Sequence, residues 1–421
     1  MDFDVAAVRA RYPALADGRV WLDGAAGTQV PDAVIDAVSE VYRTGLGNQG
    51  AAFPVSQRLG EVVARARQAV ADLLGAPDPA GVVFGPSTTA LTYRFASALA
   101  PGWRAGDEIV VTELDHEANL WPWVRAAERA GVRVRTARLD RASGTLPVEA
   151  VTELLSERTR LVAVTAASNL LGTMPDVASI TAAARGVGAV SYLDGAHHCP
   201  HAVVALPALG ADFYVTSAYK WYGPHLAAVV TTCPELLDGL AVDNLRPVTG
   251  PGPVRFELGT NPFPALAGVD AAVSHLADPG SSAPANGVGR GARLVGARTA
   301  AVAHERDLAA RLLAGLRGIE GVELLPGADA PVDRRTPTFS FRVGGHEPRA
   351  VAEALARAGI NVWHGHAYAV AAAAALGITE GDAAGAVRAS VNHYNTVEDV
   401  SRLLTAVSGY VSENTTGRRP W

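Results

Sequence analysis

The stretch FYVTSAYK at residues 213–220 is the strongest indication of the fold of this chain. It begins with aromatic and β-branched residues, as strands often do, and it ends in a serine and then a lysine. The run VSYLDG at 190–195 has the same form and ends at an acidic residue. In a parallel sheet, ligands bind beyond the carboxyl ends of the strands. The two runs therefore predict parallel strands whose polar ends converge on one site.

Five further runs of this kind lie between residues 20 and 230, and longer alanine-rich segments with helical character separate them. They are VVF (82–84), EIVVT (108–112), VRVRTARL (132–139), RLVAVTAA (160–167) and AAVVTTC (227–233). The alternation predicts an α/β fold in which a large domain contains a mostly parallel seven-stranded sheet. Later segments predict a smaller α+β domain. We expect residues 20–265 to form the large domain, and 1–19 together with 266–421 to form the small one.

Composition limits the classes of protein to which the chain can belong. Its 421 residues carry a formal net charge of -6, and 49% of them are hydrophobic. No long run of like charges occurs, which disfavours nucleic-acid binding, and no apolar run is long enough to cross a membrane. We therefore expect a cytoplasmic protein whose partners are small molecules.

The cysteines and histidines do not predict a metal site. Cys199 and Cys233 are too few for a disulfide framework or a cysteine-built zinc site. The run HHCPH at 197–201 is dense in possible ligands, but it fits no common zinc spacing.

Two segments have the composition of loops or chain ends. Residues 277–294 are rich in glycine, serine and proline, which predicts a surface loop ahead of a helix. Residues 412–421 predict a frayed tail.

The lysine content is unusual, because Lys220 is the single lysine among 36 basic residues. Arginine stays charged and is a poor nucleophile, whereas a lysine amine can lose its proton and attack a carbonyl. Lys220 is therefore a candidate Schiff-base residue. The alternative is a surface lysine that is present by chance. The residues around Lys220 decide between these two interpretations.

Those surroundings supply what an aldehyde cofactor such as pyridoxal 5'-phosphate (PLP) requires. Asp194 is the candidate carboxylate for the ring nitrogen, and His116 is the candidate group that stacks on the ring. With Lys220, these two residues form the predicted catalytic set. His197 is expected to bond the phenolic oxygen of the cofactor, and Asn169 to contact either that oxygen or the substrate.

A phosphate site is predicted where GPSTTALT opens a helix. Ser87 and Thr88 offer hydroxyls and helix N-terminal amides to a dianion, and Ser217 adds a third hydroxyl. Taken singly these signals are weak, because a serine or threonine before a helix is usually a plain cap.

The order of these motifs resembles that of a known family. Residues 190–233 look like the class V (fold-type I) PLP enzymes, specifically the cysteine desulfurase and selenocysteine lyase group, and 388–404 resemble the carboxylate-binding segment of that group. The resemblance implies an aspartate-aminotransferase-like fold, PLP on Lys220, and a homodimer with the active site at the interface. It also implies that Arg388 binds the α-carboxylate of an amino-acid substrate. Thr260, in FELGTNP, would reach the phosphate of the neighbouring subunit.

The sequence departs from that group in VWHGHAYA (362–369). In the desulfurases, this loop carries an arginine and the cysteine that accepts sulfur. Trp363 stands at the arginine position and Tyr368 at the cysteine position, and a phenol cannot form a persulfide. We expect both side chains, with His364 and His366, to line an entrance wide enough for a large substrate.

A smaller departure lies beside the lysine. Tyr219 stands where a phosphate-binding histidine is usual, and its phenol can make the same bond.

These features predict a PLP-dependent lyase. Lys220 would remove the α proton of an amino acid, and a cysteine S-conjugate would then lose its sulfur group without a cysteine acceptor. The alternatives on the same cofactor are transamination, epimerisation, and oxygen-dependent decarboxylation or deamination. A classical desulfurase and a PLP-binding pseudoenzyme are further alternatives, against which the missing cysteine and the complete catalytic set respectively argue.

Overall fold

The seven predicted runs all form strands. The computed structural model describes residues 3–280, 289–379 and 384–415. Within these ranges the strands are β1 (Val20–Trp21), β2 (Val82–Gly85), β3 (Glu108–Thr112), β4 (Arg133–Ala137), β5 (Thr159–Thr165), β6 (Val190–Asp194), β7 (Phe213–Ser217), β8 (Ala227–Val230), β9 (Val322–Leu324), β10 (Thr338–Val343), β11 (Ile360–Asn361), β12 (Trp363–Gly365) and β13 (Ala386–Ser390).

Helices connect most of these strands. In the same ranges they are α1 (Val5–Arg9), α2 (Asp32–Arg43), α3 (Pro54–Leu74), α4 (Thr88–Leu99), α5 (Trp121–Ala130), α6 (Val148–Thr152), α7 (Val177–Gly186), α8 (Leu206–Leu209), α9 (Glu235–Asp238), α10 (Phe263–Ala277), α11 (Arg290–Arg317), α12 (Pro348–Arg357), α13 (Val370–Ala375) and α14 (Val397–Thr415).

The large sheet has seven strands in the order β2-β8-β7-β6-β5-β3-β4. Only β8 runs against its neighbours, and it pairs antiparallel with both β2 and β7. The predicted α/β fold with a mostly parallel seven-stranded sheet is thus confirmed. The carboxyl ends of the six remaining strands lie at one edge of the sheet, where the predicted polar residues follow them.

Both faces of this sheet are buried, which explains why its strands read as apolar runs. Val110 of β3 packs in one hydrophobic cluster with Leu193 of β6 and with side chains of α3, α7 and α10. Its neighbour Val111 packs in the opposite cluster, with Phe95 of α4 and Trp123 of α5. Successive strand residues point to opposite faces, so helices cover the sheet on each side.

A second sheet, with the order β12-β13-β10-β9, is antiparallel throughout. Phe339 and Phe341 of β10 pack in its core with α11, α12 and α14. Val20 and Leu22 belong to this core, whereas α10 packs with α2 and α3 beneath the large sheet. The division of the chain into 20–265 and the remaining residues stays a prediction.

The predicted loop and tail fall partly outside the described ranges. Residues 281–288 of the loop and 416–421 of the tail lie outside the described residues, while α11 begins within the predicted loop and α14 continues into the predicted tail. None of the described helices is both long enough and apolar enough to cross a membrane.

Gly195 directly follows β6 and allows a test of the packing at the carboxyl end of that strand. A Cβ atom there would lie 1.8 Å from the Cζ atom of Tyr214, whose ring is buried in the core. We expect Gly195→Ala to destabilise the protein by about 1–3 kcal/mol, because that ring has to move. The matched control is Gly296→Ala in α11, where a Cβ meets nothing within 4 Å and alanine favours the helix. Thermal unfolding midpoints measure both effects, and equal midpoints would contradict the packing described.

Candidate active site

Two adjoining cavities lie at the carboxyl ends of the strands of the large sheet. The outer cavity has a volume of about 580 Å³ and the inner one about 80 Å³. Both are lined by His116, Asn169, Tyr219 and Lys220. The structure therefore brings together residues that are up to about a hundred positions apart in the sequence.

Lys220 lies in the short 3-10 turn that follows β7 and is 8% exposed. Burial lowers the pKa of its amine to about 8, since the charged form loses hydration; Asp194 opposes this shift and Arg388 adds to it. A lysine with this pKa is partly neutral at physiological pH, as a nucleophile or a base must be.

Asp194 ends β6, and its side chain lies in the lining of the inner cavity. Its Oδ1 atom accepts a hydrogen bond of 2.8 Å from the backbone N–H of Ala196. Burial raises the pKa of Asp194, whereas this hydrogen bond and the Lys220 charge lower it. The carboxylate is thus buried in a place where a cationic partner would stabilise it.

Three hydroxyls predicted for phosphate binding line the inner cavity: those of Ser87, Thr88 and Ser217. The hydroxyls of Thr88 and Ser217 are 2.5 Å apart. Ser87 is the N-cap of α4 and accepts a hydrogen bond from the backbone N–H of Ala90. A helix N-terminus with hydroxyl groups beside it favours an anion.

His116 lines both cavities and holds a neutral ring. Burial, together with the charges of Lys220 and Arg388, lowers its pKa to about 3. Its Nδ1 atom accepts a hydrogen bond from the backbone N–H of Ala118, which assigns the ring proton to Nε2. The Tyr368 ring lies on its outer side, with the two centroids 5.6 Å apart.

Asn169 joins the two sheets. Its backbone carbonyl accepts a hydrogen bond of 2.7 Å from Nη1 of Arg388 in β13, and its Nδ2 atom donates one of 2.7 Å to the carbonyl of Ala367. Burial lowers the pKa of Arg388 to about 10, although Asp23 raises it. Arg388 and Asn169 both line the outer cavity, and their part in substrate binding stays a prediction.

His197 lines the inner cavity, and contacts with the second sheet fix its ring. Its Nε2 atom lies 3.0 Å from the hydroxyls of both Thr336 and Thr338. His198 and His201 instead hydrogen-bond with Tyr214 and Glu305, and the His197 and His201 rings meet edge to face with their centroids 5.2 Å apart.

The residues fit a bound PLP by their polar atoms. Asn169 Oδ1, His197 Nδ1 and Arg388 Nε are buried and have no hydrogen-bond partner within the described chain. Buried polar groups are normally paired, so these atoms indicate a polar ligand. An amine, a buried carboxylate and a cluster of hydroxyls are present in the same cavity for an aldehyde, a ring nitrogen and a phosphate.

The turn that carries Tyr368 is held in a strained conformation. Ala367 and Tyr368 have φ values of 50° and 58°, which side-chain-bearing residues rarely adopt. The backbone N–H of Glu117 donates to the Tyr368 carbonyl, and Asn169 donates to that of Ala367. These bonds hold the phenol at the mouth of the outer cavity, which Trp363 and Tyr368 line as predicted.

His364 and His366 are not among the lining residues of the two cavities, and their part at the entrance stays a prediction. Successive side chains of a strand alternate in direction, so His364 points away from its neighbour Trp363 and lies near Glu353 of α12. His366 is exposed, and its Nδ1 atom accepts a hydrogen bond from the backbone N–H of Tyr368.

Tyr219 lies at the two cavities of the candidate site, whereas Thr260 lies outside them. Tyr219 lines both cavities, and its ring stacks on His225 with centroids 4.7 Å apart. Thr260 is exposed and lines a separate cavity of about 410 Å³, beside Phe84 and Phe256. Its contribution to a neighbouring subunit stays a prediction.

Sequence reasoning missed several residues of the outer cavity, namely Tyr93, Glu117 and Trp121. The run HEANLWPW contains two of them, and its aromatic content directly after a strand end was the available signal. Tyr93 lies one helical turn beyond Thr89 on α4, so only the orientation of that helix reveals it.

The buried amine gives a direct test, because any labelled lysine in this chain is Lys220. In protein freed of bound carbonyl compounds by hydroxylamine, we expect acetylation of Lys220 to be half-maximal near pH 8, since only the neutral amine reacts. Asp194→Asn removes a charge that raises this pKa, so the midpoint moves to lower pH. The exposed Asp36→Asn serves as control, and peptide mass spectrometry gives the extent of labelling. An unmoved midpoint in Asp194→Asn would contradict the electrostatics described.

Comparison with known proteins identifies the family. Residues 20–403 match the profile of the Aminotransferase class-V family. A probable cysteine desulfurase of Pseudomonas aeruginosa is 35% identical over 415 residues, which cover 95% of this chain and 96% of that protein.

Two solved structures are also similar. The Escherichia coli cysteine desulfurase CsdA, in an S-sulfonic acid form, superposes with a TM-score of 0.84 at 29% identity, covering 98% of this chain and 100% of that chain. The apo structure of a cysteine desulfurase from Thermococcus onnurineus gives a TM-score of 0.86 at 25% identity, with 98% and 99% covered. With this likeness along nearly its whole length, the chain belongs to the class V aminotransferase family, in its cysteine desulfurase-like group, and is a PLP-dependent enzyme.

Proposed function

We propose that this enzyme cleaves the carbon–sulfur bond of a cysteine S-conjugate by β-elimination and forms no persulfide on its own chain. The observation that carries the proposal is the position of its cysteines. The sequence contains two, Cys199 and Cys233, and neither lines the inner or the outer cavity.

Both thiols are poorly suited to accept sulfur. Cys199 is 1% exposed, and burial raises its pKa to about 11, so it is protonated at physiological pH. It lies beside Thr216, whose side chain points to the sheet face opposite that of Ser217. Cys233 is exposed, and its hydrogen bond to Glu235 raises its pKa. A persulfide requires an accessible thiolate at the site, and this chain offers none.

Tyr368 occupies the mouth of the cavity instead. It is 63% exposed and its phenol cannot take up sulfur, but a hydroxyl can donate a proton or a hydrogen bond to a departing thiolate. A conjugate whose sulfur already bears a substituent needs only this assistance, because it leaves as a thiol.

The side chains of the cavity have different roles in the proposed reaction. Arg388 binds the α-carboxylate through its guanidinium, and Lys220 removes the α proton, to which its lowered pKa is suited. Asp194 would hold a proton at the ring nitrogen of the cofactor, and the neutral His116 would pack on the ring. When bound, PLP supplies an aldehyde for the substrate amine and a ring that withdraws electrons from the α-carbon.

Six further residues would hold the cofactor in this proposal. The hydroxyls of the inner cavity and of Tyr219 would bind the phosphate, and the unpaired atoms of His197 and Asn169 would bond the phenolic oxygen; the residues are Ser87, Thr88, Ser217, Tyr219, His197 and Asn169. The phosphate site would be completed by Thr260 of a second copy in a homodimer.

The reaction balances without an oxidant. Breaking the Cα–H and Cβ–S bonds of the conjugate releases a thiol and 2-aminoacrylate, and water converts the latter to pyruvate and ammonium. Transamination would instead leave the carbon–sulfur bond intact, epimerisation would give the mirror-image amino acid, and oxidative deamination would consume oxygen.

The products distinguish these reactions. We expect S-substituted L-cysteines to give pyruvate and thiol in equal amounts, because elimination forms both from one substrate molecule. Keto acid, thiol, aldehyde and oxygen are assayed together. Aldehyde with oxygen uptake, or keto acid without thiol, would instead support the alternatives.

The persulfide question has its own test. We expect a double variant, Cys199→Ala with Cys233→Ala, to retain turnover within about twofold once its folding is verified, because neither thiol reaches the cavity. Lys220→Ala is the matched control and loses turnover by several orders of magnitude, as expected on loss of the catalytic amine. Loss of turnover in a folded double variant would revive a persulfide mechanism.

A further inference from the structure

Four aromatic side chains gather at the mouth of the outer cavity: Tyr93, Trp121, Trp363 and Tyr368. They come from separate elements, namely α4, α5, β12 and the strained turn after it. All four are substantially exposed, from 38% for Tyr93 to 63% for Tyr368. Aromatic side chains that remain exposed around one opening indicate a ligand that covers them.

Glu117 is the carboxylate that lines this cavity, and the inner cavity does not include it. Its backbone N–H is engaged by the Tyr368 carbonyl, so the residue is fixed at the mouth. Within the described parts of the chain, its carboxylate forms no hydrogen bond or ion pair. Burial raises its pKa, and the nearby His366 lowers it. A half-buried carboxylate of this kind gains from a cation that a ligand brings.

The lysine and the two arginines nearest the cavity already have other partners or roles. Lys220 and Arg388 lie at its inner end, where the cofactor and the α-carboxylate bind in the proposed function. Arg125 lies outside, with its guanidinium 5.9 Å from the Trp121 ring centroid, and it is paired with Glu128 at 2.5 Å. Glu117 is thus the acidic side chain at the mouth, with His366 nearby, whereas Asp194 lies with Lys220 at the inner cavity.

We propose that the mouth of the outer cavity is a subsite for a positively charged group at the far end of the substrate side chain, held by Glu117 and the faces of the four aromatic rings. Cations bind the π-faces of tryptophan and tyrosine, and this attraction strengthens where water is partly excluded. The inference rests on the proposed function and adds the substrate class: a cysteine S-conjugate whose leaving thiol carries a cation.

Two substrates of nearly equal shape, and a third that carries an anion, test the effect of the charge at the end of the substrate side chain. S-(2-aminoethyl)-L-cysteine ends in an ammonium group, S-propyl-L-cysteine ends in a methyl group, and S-carboxymethyl-L-cysteine adds an anion of similar length. We expect kcat/KM for the aminoethyl conjugate to exceed that for the propyl conjugate by about tenfold, and the carboxymethyl conjugate to be the poorest. In Glu117→Gln, the ratio of aminoethyl to propyl falls to about twofold, leaving the contribution of the rings.

The control is Glu149→Gln, an exposed carboxylate on α6 outside the cavity lining, which leaves the ratio unchanged. A ratio near one in the unaltered enzyme, or one that Glu117→Gln does not change, would overturn the subsite.

Binding separates this inference from the proposed function. Lys220→Arg lacks the amine needed for turnover, and quenching of its tryptophan fluorescence gives the dissociation constants of both conjugates. If Lys220→Arg binds the aminoethyl conjugate more tightly but the unaltered enzyme releases pyruvate from neither conjugate, the subsite is supported and the lyase reaction is contradicted. If Lys220→Arg binds the two conjugates equally and the unaltered enzyme turns both over equally, the lyase reaction is supported and the subsite is contradicted.

Discussion

The hydrogen bond from the Arg388 guanidinium to the Asn169 carbonyl is the contact on which the rest of the site depends. It fixes the second sheet against the strand ends of the first, because Arg388 belongs to β13 and Asn169 follows β5. The Asn169 side chain continues the connection to Ala367 and so holds the strained turn before Tyr368. Strained backbone persists only where its surroundings impose it, and here both sheets do so.

Burial then sets the chemistry of the groups that these contacts enclose. The amine of Lys220 has a lowered pKa, the carboxyl of Asp194 has a raised one, and the His116 ring is neutral. Desolvation is the first cause in each case and disfavours the charged form. A ligand that pairs the unpaired buried atoms would offset part of this cost, so a polar cavity of this kind favours a cofactor with several polar groups.

The resemblance to cysteine desulfurases extends over nearly the whole chain, yet the mouth of the cavity is chemically different. In place of a thiol, it presents phenol and indole rings around Glu117. The inner cavity contains the residues that fit the cofactor, and the four aromatic rings and Glu117 lie at the mouth. A fold and a cofactor site can therefore be shared while the reaction outcome depends on a few residues at the entrance.

The seven-stranded sheet, the single lysine and the polar residues at the strand ends could all be inferred from the sequence. These features are local: a β-branched run predicts its own strand, and parallel strands place their carboxyl ends together. That His364 turns away while Trp363 faces the cavity, and that Tyr93, Glu117 and Trp121 join it, became visible only in the folded structure. The direction of a side chain and the meeting of distant segments depend on how helices and sheets pack, and a single sequence contains no local signal for that packing.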